Sequence, residues 1–237
     1  MNIFPPLKTE VAWDALVFGH LMWNRYFGES ADNPPRGIPS TCSSVLVRGN
    51  DRDGKPYRLI VDPTTRRSPE EYYFDLHRRT GLGPEAITHC FVTHHHFDHW
   101  HALRYFPNAQ WFCGPGNKAL IKEAVTEAKN AGRDPGDGQS PEIDAEKITE
   151  VAGEFLPGVW ALCLPGHTRE LHGIAFLSGG KKILSASDAV MTANHFRDRI
   201  TEFQSDEALR RQAAETINNI AESFDIVVPG HDNLIVV

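Results

Sequence analysis

Thr93-His-His-His-Phe-Asp-His-Trp-His101 is the stretch on which the reading of this chain turns. Between His94 and His99 stand His94, His96, Asp98 and His99, with His95 between the first two. Imidazole nitrogens and carboxylate oxygens suit borderline divalent cations, so the spacing is that of a metal site. The run leaves Thr88-His-Cys-Phe-Val-Thr-His94, whose β-branched and aromatic content predicts a strand. Extended backbone alternates faces, which sends His94 and His96 one way and His95 and Phe97 the other. Asp98 and His99 fall where His101-Ala-Leu-Arg-Tyr-Phe106 begins a short helix, and the turn into it swings both back toward the same cavity. Taken alone, a triple histidine reads equally well as a surface cluster whose imidazoles only hydrogen-bond.

The rest of the chain moves that balance. His167 stands in Leu162-Cys-Leu-Pro-Gly-His-Thr168, Asp188 in Lys182-Ile-Leu-Ser-Ala-Ser-Asp-Ala-Val190, and His231 in Asp225-Ile-Val-Val-Pro-Gly-His-Asp232. Each closes an apolar, strand-like run that is followed by loop chemistry. Four separate strand ends therefore deliver donors of one chemical type.

The order His94-x-His96-x-Asp98-His99, then His167, Asp188 and His231, resembles the metallo-β-lactamase fold superfamily from about Asp14 to His231. The resemblance implies a four-layer αββα sandwich of two mixed sheets, with metal ions at one edge between them. It places the first metal on His94, His96 and His167, the second on Asp98, His99 and His231, and Asp188 as the bridge. Asp62, closing Arg58-Leu-Ile-Val-Asp62, sits where this family often has an acid that hydrogen-bonds a metal-binding histidine; such partners set the imidazole tautomer. An Asp that merely begins a turn before Pro63 is the competing reading, and Thr168 carries the same ambiguity.

Composition agrees with one enzyme domain over residues 1–237, 41% apolar and able to bury a large core. The formal net charge of −7 disfavours nucleic acid and anionic membranes as partners. The first residues show no signal-peptide pattern and no window approaches the ~18 apolar residues of a membrane span, so a cytoplasmic location is expected. Cysteines 42, 90, 113 and 163 lack CxxC pairing; the last three lie in strand-like runs, where buried thiols are expected. A disulfide or a ligand role for any of them is disfavoured.

Strands are predicted at Asp14–Met22, Cys42–Arg48, Arg58–Asp62, Ala109–Cys113, Val159–Leu164 and Asp225–Pro229. Gly173–Ser187 reads as a hairpin turning at Ser178-Gly-Gly-Lys181. Ser68, Pro69, Glu70 and Glu71 open a helix that Gly81 ends; a second runs from Gly116 to Gly132, and a third from about Asp206 to Ser223. Arg133–Pro141 has the composition of an exposed loop.

Two adjacent divalent ions would share a water that loses a proton near neutral pH, oriented by Asp98 and Asp188 as the catalytic carboxylates, while polarising a carbonyl or phosphoryl oxygen. The expected cofactors are two divalent metal ions, zinc first, with iron or manganese fitting the same donors. Within the resembled family, His96 stands where flavodiiron members carry glutamate, and the six residues after His231 make a glutathione thioester substrate, which that family binds with a C-terminal helical domain, less expected than other thioesters. Ala189-Val-Met191 replaces the tyrosine that homoserine lactonases usually show, which disfavours a lactonase of their usual mechanism. Trp100 and His101 replace the usual small residues, and Thr168-Arg-Glu-Leu-His-Gly173 makes the chain similar to small single-domain members, the metallo-β-lactamase domain-containing proteins among them.

The favoured reading is hydrolysis of a small-molecule ester, thioester or lactone through a hydroxide shared by the two metals. A metal-dependent phosphodiesterase or nuclease is the alternative from a second class, and a non-catalytic metal-stabilised binding protein from a third. Trp23, Tyr26 and Phe27 with Arg25 and Arg36 suit a wall for an apolar substrate with an anionic end. The same aromatics serve equally as core cover or a homodimer contact. His195 and His172 are candidates for protonating a leaving group, against the plainer reading of ordinary loop histidines.

Overall fold

A computed structural model describes residues 1–21, 40–64, 68–132, 142–199 and 206–237. Among these residues, twelve strands form two six-stranded sheets. The first has the order β1 (Ala12–Val17), β2 (Ser44–Asn50), β3 (Pro56–Val61), β4 (His89–Val92), β5 (Gln110–Cys113) and β6 (Ile148–Glu150). The second runs β12 (Ile235–Val236), β11 (Ile226–Pro229), β10 (Lys181–Ser187), β9 (His172–Ser178), β8 (Val159–Cys163) and β7 (Gly153–Leu156). Both are mixed: β1 to β3 pair antiparallel and β3 to β6 parallel, while β10 is antiparallel to β9 and parallel to β11.

The side-chain alternation of strands builds the layers. Val45, Val47, Leu59, Val61 and Phe91 face Val159, Ala161, Ile174, Phe176 and Ile183 in the core between the sheets. Leu46, Ile60, Cys90 and Val92 point to the opposite face. There they pack on Tyr72 and Leu76 of α1 (Pro69–Thr80) and on Ile121 and Val125 of α3 (Asn117–Asn130). On the other side Ala175, Leu184, Ala186 and Val227 meet Ile217 and Ile220 of α5 (Glu207–Ser223). The architecture is the expected four-layer αββα sandwich.

Local signals placed several elements closely. Ser68 has extended backbone and accepts from the amide of Glu71, Pro69 opens α1, and Gly81 closes it at φ 72°. Gly179 and Gly180 take φ 58° and 71° in the β9–β10 turn, as a tight hairpin requires. Asp206 caps α5 through the amides of Ala208 and Leu209.

Other boundaries moved. β1 begins at Ala12, paired with Arg48, and stops at Val17 after a register irregularity, whereas the sequence suggested Asp14–Met22. β2 is shifted from Cys42–Arg48 to Ser44–Asn50. β4 ends at Val92 because both neighbours stop there: Phe91 pairs with Val61, the last residue of β3, and Val92 with Cys113, the last of β5. β6, β7, β12 and the short helix α4 (Ala193–Asp198) were not anticipated, since elements of two to six residues show little periodicity. The 133–141 loop and the aromatic segment from Trp23 to Arg36 lie outside the described residues. Cys42, Cys90 and Cys113 are buried, but Cys163 is exposed, contrary to expectation; all four are unpaired. Among the described residues no helix is long and apolar enough to cross a membrane.

Candidate metal centre

The seven predicted donors arrive from four strand ends at one edge of the sandwich. His94 and His96 lie in the bend after β4, and Asp98 and His99 in the one-turn helix α2 (Phe97–Trp100) that follows. Trp100 fixes that bend by donating from Nε1 to the His95 carbonyl at 2.8 Å. His167 follows β8, Asp188 follows β10, and His231 follows β11. His94 and His96 do converge and His95 stays out of the cluster, but through irregular backbone and not through strand alternation. Gly230 is required beside His231, because a Cβ there would strike the Asp188 carboxylate and the Ser187 backbone.

Two groups of ligating atoms result. His94 Nε2 lies 3.0 Å from His96 Nδ1, which lies 2.9 Å from His167 Nε2. His231 Nε2 lies 3.6 Å from Asp98 Oδ2, and His99 Nε2 3.8 Å from Asp98 Oδ1. Asp188 stands between the groups. Its Oδ1 is 3.4 Å from His99 Nε2 and its Oδ2 is 3.4 Å from His167 Nε2 and 3.9 Å from His94 Nε2, while His231 Nε2 lies 3.2 Å from Oδ1 and 3.3 Å from Oδ2.

The outer ring nitrogens are oriented by the scaffold. His99 Nδ1 donates to Asp62 Oδ2 at 2.9 Å, and His231 Nδ1 donates to the carbonyl of Thr41 at 3.0 Å and that of His20 at 3.2 Å. His94 Nδ1 faces Thr93 Oγ1 at 3.2 Å. A ring that spends its Nδ1 hydrogen this way turns the Nε2 lone pair inward, as a ligand must. Asp62 thus does what the resemblance implied, and its histidine is His99.

Charge supports the same assignment. Burial pushes His94, His96 and His167 down, His96 to about 3, so these imidazoles are neutral donors. Burial also acts to lower His99 and His231, but there the neighbours win and both are raised. For His99 these are Cys42, Asp188, Asp62 and Asp98; the Cys42 thiol is itself pushed up to about 12 by burial and is uncharged, so the carboxylates carry the effect. The second group therefore holds surplus negative charge in a buried place. His99 Nε2 and Asp188 Oδ1 are buried without hydrogen-bond partners. Neutral imidazoles in the first group, a buried Asp188 oxygen with no hydrogen-bond partner among the described residues, and carboxylates crowding the second group, where a cation would replace imidazole protons, fit divalent cations. These would be held by His94, His96, His167 and Asp188 and by Asp98, His99, His231 and Asp188.

Other expectations fare differently. His195 is buried with Nδ1 2.7 Å from Thr192 Oγ1, which caps α4, and His172 opens β9 with Nδ1 donating to the Glu170 carbonyl at 2.8 Å. Neither belongs to the ligating groups, and neither is a loop residue. Thr168 is buried, its hydroxyl without a hydrogen-bond partner. Sequence reasoning missed Thr93, Ser187 and Cys42. Thr93 and Ser187 bind Asp62, and Cys42 lies beside Asp62 and His99, donating from Sγ to the Asp98 carbonyl at 3.0 Å. Nothing local distinguishes them; they matter through residues remote in sequence.

Comparison with known proteins agrees with this fold. The profile of the metallo-β-lactamase superfamily matches residues 37–231. A Thermotoga maritima protein of metallo-β-lactamase type superposes with TM-score 0.67 at 17% identity, covering 97% of this chain and 100% of its own. An N-acyl homoserine lactone hydrolase with N-hexanoyl-L-homoserine at its catalytic metal centre gives 0.60 at 18% identity over 98% and 94%. A dizinc quorum-quenching lactonase gives 0.57 at 15% over 80% and 72%. No curated protein matches the sequence. With the family profile spanning residues 37–231 of the 237, and with a fold and donor set of this kind, the chain belongs to the metallo-β-lactamase superfamily and is a metal-dependent hydrolase.

Proposed function

We propose that this chain is a dinuclear hydrolase of small-molecule esters, thioesters or lactones, with His94, His96 and His167 holding one cation, Asp98, His99 and His231 the other, and Asp188 serving both. The observation that carries the proposal is the Asp188 carboxylate lying between the two histidine groups, with Oδ1 3.4 Å from His99 Nε2, Oδ2 3.4 Å from His167 Nε2, and His231 Nε2 3.2 and 3.3 Å from the two oxygens. A carboxylate in reach of both groups can serve a cation in each. Zinc is the first choice for these nitrogen and oxygen donors.

Two divalent cations bound there would acidify a shared water and polarise the substrate's carbonyl oxygen. The residues of the chain do the rest. Asp98, whose side chain is 19% accessible, reaches the solvent side, where it orients the attacking water and takes its proton. Asp188, 4% accessible, stays beneath and fixes the separation of the two groups. Asp62 holds the His99 ring and the Thr41 and His20 carbonyls hold the His231 ring, so these two donors need little rearrangement on binding. No serine or cysteine nucleophile is required. Lactones belong in the substrate class because two structurally similar proteins are described as lactonases.

The test is a panel of chromogenic esters, thioesters, lactones and bis-nitrophenyl phosphate on zinc-, iron- and manganese-loaded protein. Turnover of a carboxylic substrate that Asp188→Asn abolishes is the expected result. Activity confined to the phosphodiester would overturn the substrate class. Tight metal binding with no hydrolysis sensitive to Asp188→Asn would make the chain a binding protein.

A further inference from the structure

Ser187 occupies a backbone conformation that a serine has little reason to accept. Its φ is 52° and ψ −141°, a region close to that reserved for glycine, and it follows an irregularity in the β10–β11 register between Ser185 and Ser187. Bulges next to functional sites re-aim side chains, and this one sends the Ser187 hydroxyl out of its own sheet. The hydroxyl donates to Asp62 Oδ2 at 2.8 Å, touches Thr93 Oγ1 at 2.8 Å and lies 3.2 Å from His99 Nδ1. All three partners belong to the other sheet's edge. Asp62 is itself at φ 50°, and its carboxylate also accepts from the Thr93 amide at 2.9 Å and the Thr93 hydroxyl at 2.8 Å.

A glycine would give the same chain path without strain and without the hydroxyl. The strain is therefore offset by what the hydroxyl does. Thr93 grips Asp62 from within the first sheet, whereas Ser187 is the tie from the second sheet, one residue before Asp188. One hydroxyl thus couples the acid that orients His99 to the loop that delivers the shared carboxylate.

We propose that Ser187 is a positioning residue for the Asp98–His99–His231 half of the centre, its strained backbone pressing the hydroxyl onto Asp62 so that His99 presents Nε2 before any metal arrives. The inference rests on the two-metal reading above. It assigns Ser187 no contact with substrate. Its loss should weaken that position more than the other, because His99 bonds Asp62 directly whereas His94 reaches it only through Thr93 Oγ1.

The experiment compares Ser187→Gly, which relieves the strain and removes the hydroxyl, with Ser187→Ala, which removes the hydroxyl alone. Metal-free protein is titrated with zinc by calorimetry, its melting temperature is measured, and the hydrogen-bonded His99 Nδ1 proton is followed by NMR. In Ser187→Gly the melting temperature should stay within about 5 °C of the parent. One of the two zinc equivalents should bind at least about tenfold more weakly, the other should weaken less, and the His99 Nδ1 proton should exchange faster. Ser187→Ala should show the same selective loss with a lower melting temperature. Unchanged binding of both equivalents in Ser187→Gly overturns the inference and leaves the two-metal reading standing. Equal weakening of both equivalents with a collapsed melting temperature reduces Ser187 to a structural role and overturns it too. A parent that takes up a single equivalent overturns the two-metal reading itself.

Discussion

At the scale of single residues, the centre depends on which way each donor faces. His94 and His96 share a group with His167, whereas the His95 ring stands beside them and is not among its ligating residues. His94→Ala and His96→Ala should each lose most of the metal at that position, and His95→Ala should keep it; elemental analysis of folded protein checks this, and equal loss in all three would contradict the arrangement. Gly230 offers a different probe, because any side chain there collides with Asp188. Gly230→Ala should cost about 1–3 kcal/mol through overpacking and reduce metal content, read as a lowered denaturation midpoint and fewer bound equivalents.

At the scale of elements, helices with caps were legible and short strands were not. Ser68, Pro69 and Gly81 marked α1 to the residue because each cap acts through its own backbone. Ser68→Ala should therefore destabilise the protein by about 1 kcal/mol, whereas Leu76→Ala, which empties a fully buried site against the first sheet, should cost about 2–5 kcal/mol. A urea series on both variants checks the ranking, and a cap that costs more than the core leucine would show that α1 is held by its ends and not by its face. β4 was read two residues too long, since its end is dictated by where β3 and β5 stop, and neither neighbour is adjacent in sequence.

At the scale of the whole molecule, the centre closes one edge between two sheets, so metal and fold are linked. A cation that binds the folded chain alone stabilises it by about 2.7 kcal/mol at a hundredfold excess over its Kd. Chelation should lower the melting temperature and added zinc should restore it, as followed by calorimetry. The pH response of the metal-free protein has a definite sign. His94, His96 and His167 are held below their usual 6.5 by burial, His96 at about 3. Groups depressed in this way contribute stability that is present above 6.5 and lost as pH falls toward their folded values. His99 and His231, raised by carboxylates, act in the opposite sense and lose their contribution as pH rises. Three depressed groups against two raised ones predict that metal-free protein is less stable at pH 5 than at pH 7.5. Denaturation midpoints at the two values decide it, and a higher midpoint at pH 5 would mean that the carboxylate-rich group dominates.

The sequence by itself determined which candidate donors the chain carries, their order, the family they resemble and the expectation of hydrolysis, because residue identity and order are written in the chain directly. It also determined the capped helices and the glycine hairpin, whose signals act over three or four residues. Only the tertiary structure decided that Asp62 serves His99, that Asp188 lies between the two histidine groups, and that Thr93, Ser187 and Cys42 crowd the same buried acid. Those facts are made by the packing of two sheets, which brings Asp62, Thr93 and Ser187 within hydrogen-bond reach across 31 and 125 residues of chain. No local pattern encodes such distances; they exist only once the core between the sheets has formed.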